Sequence, residues 1–116
     1  MLTKSATVNF IDDTAKFMDN AEADAILREF VEIAKTLDGT IIQIEGNINS
    51  NVTNEVGMML SEERAKTVKN YLIANGIDPD RIIIVGNGNT KMVVPVDSED
   101  SYLNRRTDVF FKTIEG

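Results

Sequence analysis

Apolar residues recur along this chain with two different periods, and the changes of period divide it into elements. Thr7-Val8-Asn9-Phe10-Ile11 alternates weakly and predicts a short first strand, which Asp12-Asp13 ends. Asp19-Asn20-Ala21-Glu22 has the form of a helix cap with an acid three residues on. After it Ala23, Ile26, Leu27, Phe30, Ile33, Ala34 and Leu37 recur at helical spacing, with Glu and Lys between them, until Gly39 closes the helix. The run from Thr40 to Gly46 is rich in β-branched residues and predicts a second strand. A second helix is expected from about Thr53 to Asn75, with the apolar stripe Val56, Leu60, Val68, Tyr71 and Leu72 and Ala65 as a small contact. Asn75-Gly76 and then Pro79 stop it. The unbroken apolar run Ile82-Ile83-Ile84-Val85, flanked by Arg81 and Gly86, predicts a third strand covered on both faces. Residues 87–101 form a loop with Gly88, Pro95 and an acidic cluster, and Thr107 to Lys112 is a last strand. The order β-α-β-α-β-β implies an α+β fold, a mixed sheet with both helices packed on one face. With no internal repeat, linker or low-complexity segment, residues 1–116 read as a single domain.

Composition removes whole classes of chemistry. The chain has no Cys and no His, which excludes Cys/His zinc sites, thiol nucleophiles and Ser–His catalysis. A net charge of −7 argues against nucleic acid and against adsorption to anionic lipid, both of which select clustered Lys and Arg. No apolar run approaches the roughly 20 residues of a membrane helix, so this stretch is not expected to insert into a membrane. No long apolar core of a signal peptide is visible at the start. Asp12, Asp13 and Asp97 are candidate carboxylates, but nothing in the sequence groups them into a catalytic site.

Four motifs carry more information. Leu60-Ser61-Glu62-Glu63-Arg64-Ala65 has the pattern LSxxRA. Val68, Tyr71-Leu72 and Gly76-Ile77 follow at set spacing, Gly86-Asn87-Gly88 comes after the third strand, and Asn104-Arg105-Arg106 precedes the last. Together they resemble the OmpA-like domain, the C-terminal domain of OmpA, Pal and MotB-type proteins, over nearly the whole chain. The resemblance implies a two-layer α/β sandwich and a noncatalytic module that needs no cofactor. It implies binding to peptidoglycan and a place in the cell envelope, on the periplasmic or extracytoplasmic face, anchored by the remainder of a longer protein. In that family an Asp after the second strand and the Arg of LSxxRA grip the diaminopimelate of the stem peptide. A carboxylate suits the ammonium of such a zwitterion, and a guanidinium fork suits its carboxylate. The residues implied here are Ile48, Asn49, Leu60 and Arg64, with Asn104 and Arg105 at the rim.

The chain departs from that pattern at the acid. The position of the Asp is Asn49, preceded by Ile48 where Thr is usual, and Val52 and Gly57 replace a Gly and an Asn. Asn keeps the shape and the acceptor but cannot neutralise an ammonium. Charge-assisted bonds are worth roughly 1.5–3 kcal/mol and neutral ones roughly 0.5–1.5. The exchange therefore weakens such a contact about tenfold or more. Three readings follow. The module binds a stem peptide with amide bonds at Asn49, or it has lost its ligand and serves as an interaction or homodimerisation domain, or it prefers a differently charged ligand. Asn49→Asp separates the first two, since it raises affinity about tenfold only in an intact pocket.

Other features have plainer explanations. Arg64 could be a solvated helix residue beside Glu62 and Glu63, and Asn104-Arg105-Arg106 could shape a turn. Gly86-Asn87-Gly88-Asn89 lacks the full dinucleotide-binding pattern and reads as a tight turn. Asp97-Ser98-Glu99-Asp100 lacks a calcium-loop pattern and reads as a solvated acidic loop. Met58-Met59 reads as core or partial core.

Overall fold

Asp19 has an extended backbone and its carboxylate accepts the Glu22 amide at 3.0 Å, so the first helix begins at the predicted cap. Asn54 does the same for the second, accepting the Gly57 amide at 2.8 Å. The computed structural model describes residues 5–112. Within them the elements are β1 (Ser5–Asn9), α1 (Asn20–Lys35), β2 (Ile41–Gly46), α2 (Glu55–Ala74), β3 (Ile82–Gly86) and β4 (Arg106–Lys112), with short 3-10 turns at Pro79–Arg81 and Ser101–Asn104.

The strands form one mixed sheet in the order β1-β4-β2-β3. The last strand lies between the first two, antiparallel to both, and β2 runs parallel to β3. The register places Ala6 opposite Val109 and Val109 opposite Ile44, so the inward residues of three strands meet in one row. They pack against Ala23, Leu27, Phe30 and Ala34 of α1 and Ala65, Val68 and Leu72 of α2. This is the two-layer α+β arrangement expected.

Two expectations fail. The third strand is not covered on both faces: it is the sheet edge, and Ile83 is 40% exposed on the face away from the helices. Its apolar run resembles a central parallel strand, but neither a further strand nor a second helix layer covers it among the described residues. The predicted stripe of α2 also slips. Val56 is 75% exposed, and Met59, read as core or partial core, is 63% exposed, because the first turns of the helix extend past the sheet. Ala65, Val68 and Leu72 of that stripe are buried as expected, and Ser61 and Arg64 join them.

Two glycines let α2 come this close. A Cβ built on Gly46 would stand 1.7 Å from the Ser61 carbonyl oxygen, and one on Gly86 would stand 2.4 Å from Glu62 Cγ. Both residues end parallel strands, β2 and β3, so the helix crosses directly over the strand ends. That crossing carries Arg64 under the loops that leave them.

Candidate functional site

The turn between β1 and α1 is a small hairpin. Phe10 pairs with Phe17 across it, and the amide of Ile11 donates to the Lys16 carbonyl at 2.9 Å. Asp13 sits at φ 57°, a left-handed conformation that Asp tolerates better than most residues. Asp12 and Asp13 occupy the exposed tip.

Arg64 holds this turn. Its Nε donates to the Thr14 carbonyl at 2.8 Å and its Nη2 to the Ile11 carbonyl at 3.3 Å. Its Nη1 donates to the Asn47 carbonyl at 2.9 Å, and the guanidinium lies 5.5 Å from the centre of the Phe10 ring. Thr67, one turn on, donates its hydroxyl to the Ala15 carbonyl at 2.9 Å. Arg64 is only 1% exposed, so it is not the solvated helix residue of the plainer reading. Burial, then the charge of Arg105, pulls its pKa down to about 10, opposed by the carboxylates of Asp12 and Asp13. It remains a cation at neutral pH.

A second network pins the loop before β4. Asn104 is 0% exposed. Its Oδ1 accepts the amides of Val93 and Val94 at 2.7 and 3.2 Å. Its Nδ2 donates to the Val94 carbonyl and to Asn49 Oδ1, both at 2.8 Å. Asn49 passes the chain on, its Nδ2 donating to the Val96 carbonyl at 3.1 Å. Behind it, Asn87 Nδ2 donates to Asn47 Oδ1 and to Glu45 Oε1, and Lys91 pairs with the same carboxylate at 2.9 Å. Residues 87–90 make the tight turn read from Gly86-Asn87-Gly88-Asn89, with the Thr90 amide donating to the Asn87 carbonyl.

Between these loops and the start of α2 lies a cleft of about 190 Å³. Ile48, Leu60, Val56 and Gly57 give it an apolar side, and Ser50, Asn49 and Asn54 a neutral polar one. Its charged groups are Asp12, Asp13, Arg64 and Arg105. The N-terminus of α2, capped by Asn54, opens onto it and adds a partial positive charge. The structure thus brings five of the six implied residues together. Asn104 is not on the lining; it lies beneath, holding the loop. No group of acids that could hold a metal occurs among the described residues, and the acids from Asp97 to Asp100 are mostly exposed.

Asp12 and Asp13 were visible in the sequence only as ungrouped carboxylates. What places them here is the pairing of β1 with β4, which sets Asn9 opposite Arg106. Phe10 continues it by donating its amide to the Arg105 carbonyl at 2.8 Å. The DD pair directly after a strand was the available signal, but the partner strand begins almost a hundred residues later.

Comparison with known proteins gives a consistent result. The family model described as "OmpA family" matches residues 9–106. Outer membrane protein A of Bordetella avium is 34% identical over 110 residues, 90% of this chain and 57% of that protein. The peptidoglycan-associated lipoprotein of Pseudomonas putida is 34% identical over 73 residues, 62% of this chain and 44% of that one. The chain therefore spans about half the length of these curated relatives. Among solved structures, the peptidoglycan-associated lipoprotein from Burkholderia pseudomallei superimposes with a TM-score of 0.82 at 27% identity, covering 92% of this chain and 90% of that one. A periplasmic domain of Helicobacter pylori MotB does so at 0.79 and 18% identity, over 97% of this chain and 75% of that one, a likeness of fold.

Proposed function

The chain belongs to the OmpA family, and on that premise we propose that it is a noncatalytic module that binds peptidoglycan in the cell envelope. The stem peptide is its ligand, taken through a residue of diaminopimelate type. The observation that carries this reading is the cleft at the N-terminus of α2, where two carboxylates and two guanidiniums share about 190 Å³. A residue bearing both an ammonium and a carboxylate matches that pairing of signs. The apolar side formed by Ile48, Leu60 and Val56 suits the methylene chain between them. Lining of this kind is concave and mostly preformed, held by Arg64 and Asn104 from within.

The test is a calorimetric titration of the 116-residue chain with a muropeptide that carries a diaminopimelate tripeptide. Saturable binding is expected, and no saturation at millimolar ligand would overturn the reading. A second reading, an interaction or homodimerisation domain, draws on the exposed side chains of Val52, Val56 and Met59, before and within the first turns of α2. It predicts a concentration-dependent mass in light scattering together with no response to muropeptide.

A further inference from the structure

The strand β3 has the sequence of an inner strand and the position of an edge. Its run Ile82-Ile83-Ile84-Val85 carries no charge and no Pro, and its register with β2 is unbroken, so it lacks the devices that usually blunt a sheet edge. The opposite edge, β1, turns Ser5, Thr7 and Asn9 away from the helices, where β3 turns Ile83 and Val85. The backbone of β3 is open as well. The Asn87 amide donates to the Gly46 carbonyl of β2. Alternation along the strand then faces Val85 and Ile83 to β2, and Ile82, Ile84 and Gly86 to the free side. There the Ile82 amide donates to the Pro79 carbonyl. The backbone groups of Ile84 and Gly86 meet no partner on that side among the described residues.

The helix layer above this edge is self-complementary in charge. A Cβ on Gly46 would strike the Ser61 carbonyl and one on Gly86 would strike Glu62, so α2 lies over β2 and β3 together. Met58, Glu62, Lys69 and Ile73 recur at helical spacing along the stripe of α2 that follows β3. Glu62 is exposed and Lys69 half-buried, and neither has an ion-pair or hydrogen-bond partner among the described residues. Lys66 between them is engaged by Glu63 of its own helix.

We propose that β3 is the contact between two copies of this chain, paired antiparallel about Ile84 across a two-fold axis normal to the sheet. Ile84 exchanges both backbone bonds with its mate, and the Gly86 amide donates to the partner's Ile82 carbonyl. Ile83 then stands opposite the partner's Val85, in the close position where β-branched pairs pack. The pairing makes β3 the inner strand that its sequence describes. A five-residue strand pair alone is marginal, and α2 supplies the second layer. Strands lie about 4.8 Å apart, so two helices centred between β2 and β3 come about 10 Å apart, the ordinary spacing of packed helices. A helix rises about 1.5 Å per residue and a strand about 3.3 Å, so the step from Gly86 to Ile84 matches about four residues of α2. The axis at Ile84 therefore passes near Lys66, and Glu62 faces the partner's Lys69, twice by symmetry. None of these residues lines the cleft, so the inference goes beyond the peptidoglycan reading and does not rest on it.

The experiment is sedimentation equilibrium of the 116-residue chain from micromolar to millimolar concentration. It is run at about 0.15 M salt, which confines the repulsion between two chains of charge −7 to a Debye length of about 8 Å. The wild-type mass should rise reversibly toward that of two chains. Ile83→Lys puts a charge at an exposed edge position and should weaken association about tenfold or more. Glu62→Lys should weaken it roughly tenfold, and adding Lys69→Glu should restore it to within threefold of wild type, a rescue that a merely structural role does not give. In the wild type, the Ile84 and Gly86 amides should exchange with deuterium more slowly as concentration rises, a readout independent of how any variant folds. A chain that stays monomeric at millimolar concentration overturns the inference. So does a dimer that Ile83→Lys and Glu62→Lys leave within threefold of wild type, which would place the contact elsewhere, as at Val52, Val56 and Met59. The muropeptide titration decides the peptidoglycan reading separately, since a monomer that binds muropeptide sinks only the dimer and a dimer that does not bind sinks only that reading.

Discussion

Arg64 shows how far a single residue can be read from sequence. The motif LSEERA marks it as important, and it is, but the sequence cannot say which way its donors turn. The deciding facts are three carbonyls, those of Ile11, Thr14 and Asn47, all from segments distant in the chain. A guanidinium serves three diverging acceptors at once because its nitrogens lie in one rigid plane. An ammonium on a flexible stem reaches fewer of them and leaves a buried carbonyl unpaired. Arg64→Lys should therefore destabilise the fold by about 3 kcal/mol although the charge is kept. Urea denaturation at neutral pH measures it, and a loss under about 1 kcal/mol would mean that the three bonds contribute little net stability. Asn49 illustrates the converse. Its type signals the missing acid plainly, while its two partners, Asn104 and the Val96 carbonyl, lie across a loop whose path the sequence does not encode in any periodic form.

At the level of elements, periodicity locates both helices and the strands to within a few residues, and the cap at Asp19 is legible as side-chain chemistry, while α2 starts from a cap at Asn54, next to the expected start at Thr53. What misleads is burial. The stripe of α2 was assigned by apolar character, yet the helix buries Ser61 and Arg64 and exposes Val56, because its first turns overhang the cleft and its middle crosses the strand ends. Ser61 is tolerated there because its hydroxyl donates to the Met58 carbonyl and accepts the Gly88 amide. The two strand-end glycines, legible as residues, gain their meaning only from that crossing. Gly46→Ala would drive a methyl into backbone of α2, which cannot move aside as a side chain could. The expected loss is about 3 kcal/mol or more. Gly39→Ala is the control: its Cβ meets nothing within 4 Å, and only the left-handed φ of +80° opposes it, at about 1–2 kcal/mol. Equal losses in thermal melts of the two variants would show that conformation, not the close approach of α2, is what Gly46 supplies.

For the molecule as a whole, the order of elements was readable and the sheet order was not. Nothing in the pattern of Thr107 to Lys112 says that this strand enters between β1 and β2, yet that insertion joins the acidic turn to Arg105 and sets Glu45 beside Asp108. Glu45 then becomes a sensor of acid for the loops behind the cleft. Burial pushes its carboxyl up, but hydrogen bonds from Asn87, Lys91 and Gln43 more than offset this, and the net position is below the ordinary 4.5. A pKa depressed by folding stabilises the native state above the unfolded value, and the stabilisation disappears as pH falls through the folded one. A separate effect runs the other way: with a net charge of −7, protonating the many surface acids relieves repulsion as pH falls. The two are separable by difference. Glu45→Gln keeps the shape and can still accept from Asn87, but removes the titration. The stability gap between wild type and variant should be widest at pH 7, begin to narrow near pH 4.5 and shrink steadily below it. Denaturant midpoints at pH 7, 4.5 and 3 read this gap directly. Parallel curves for the two proteins would mean that the carboxylate's ionisation is not what holds Asn87 and Lys91 against the end of β2.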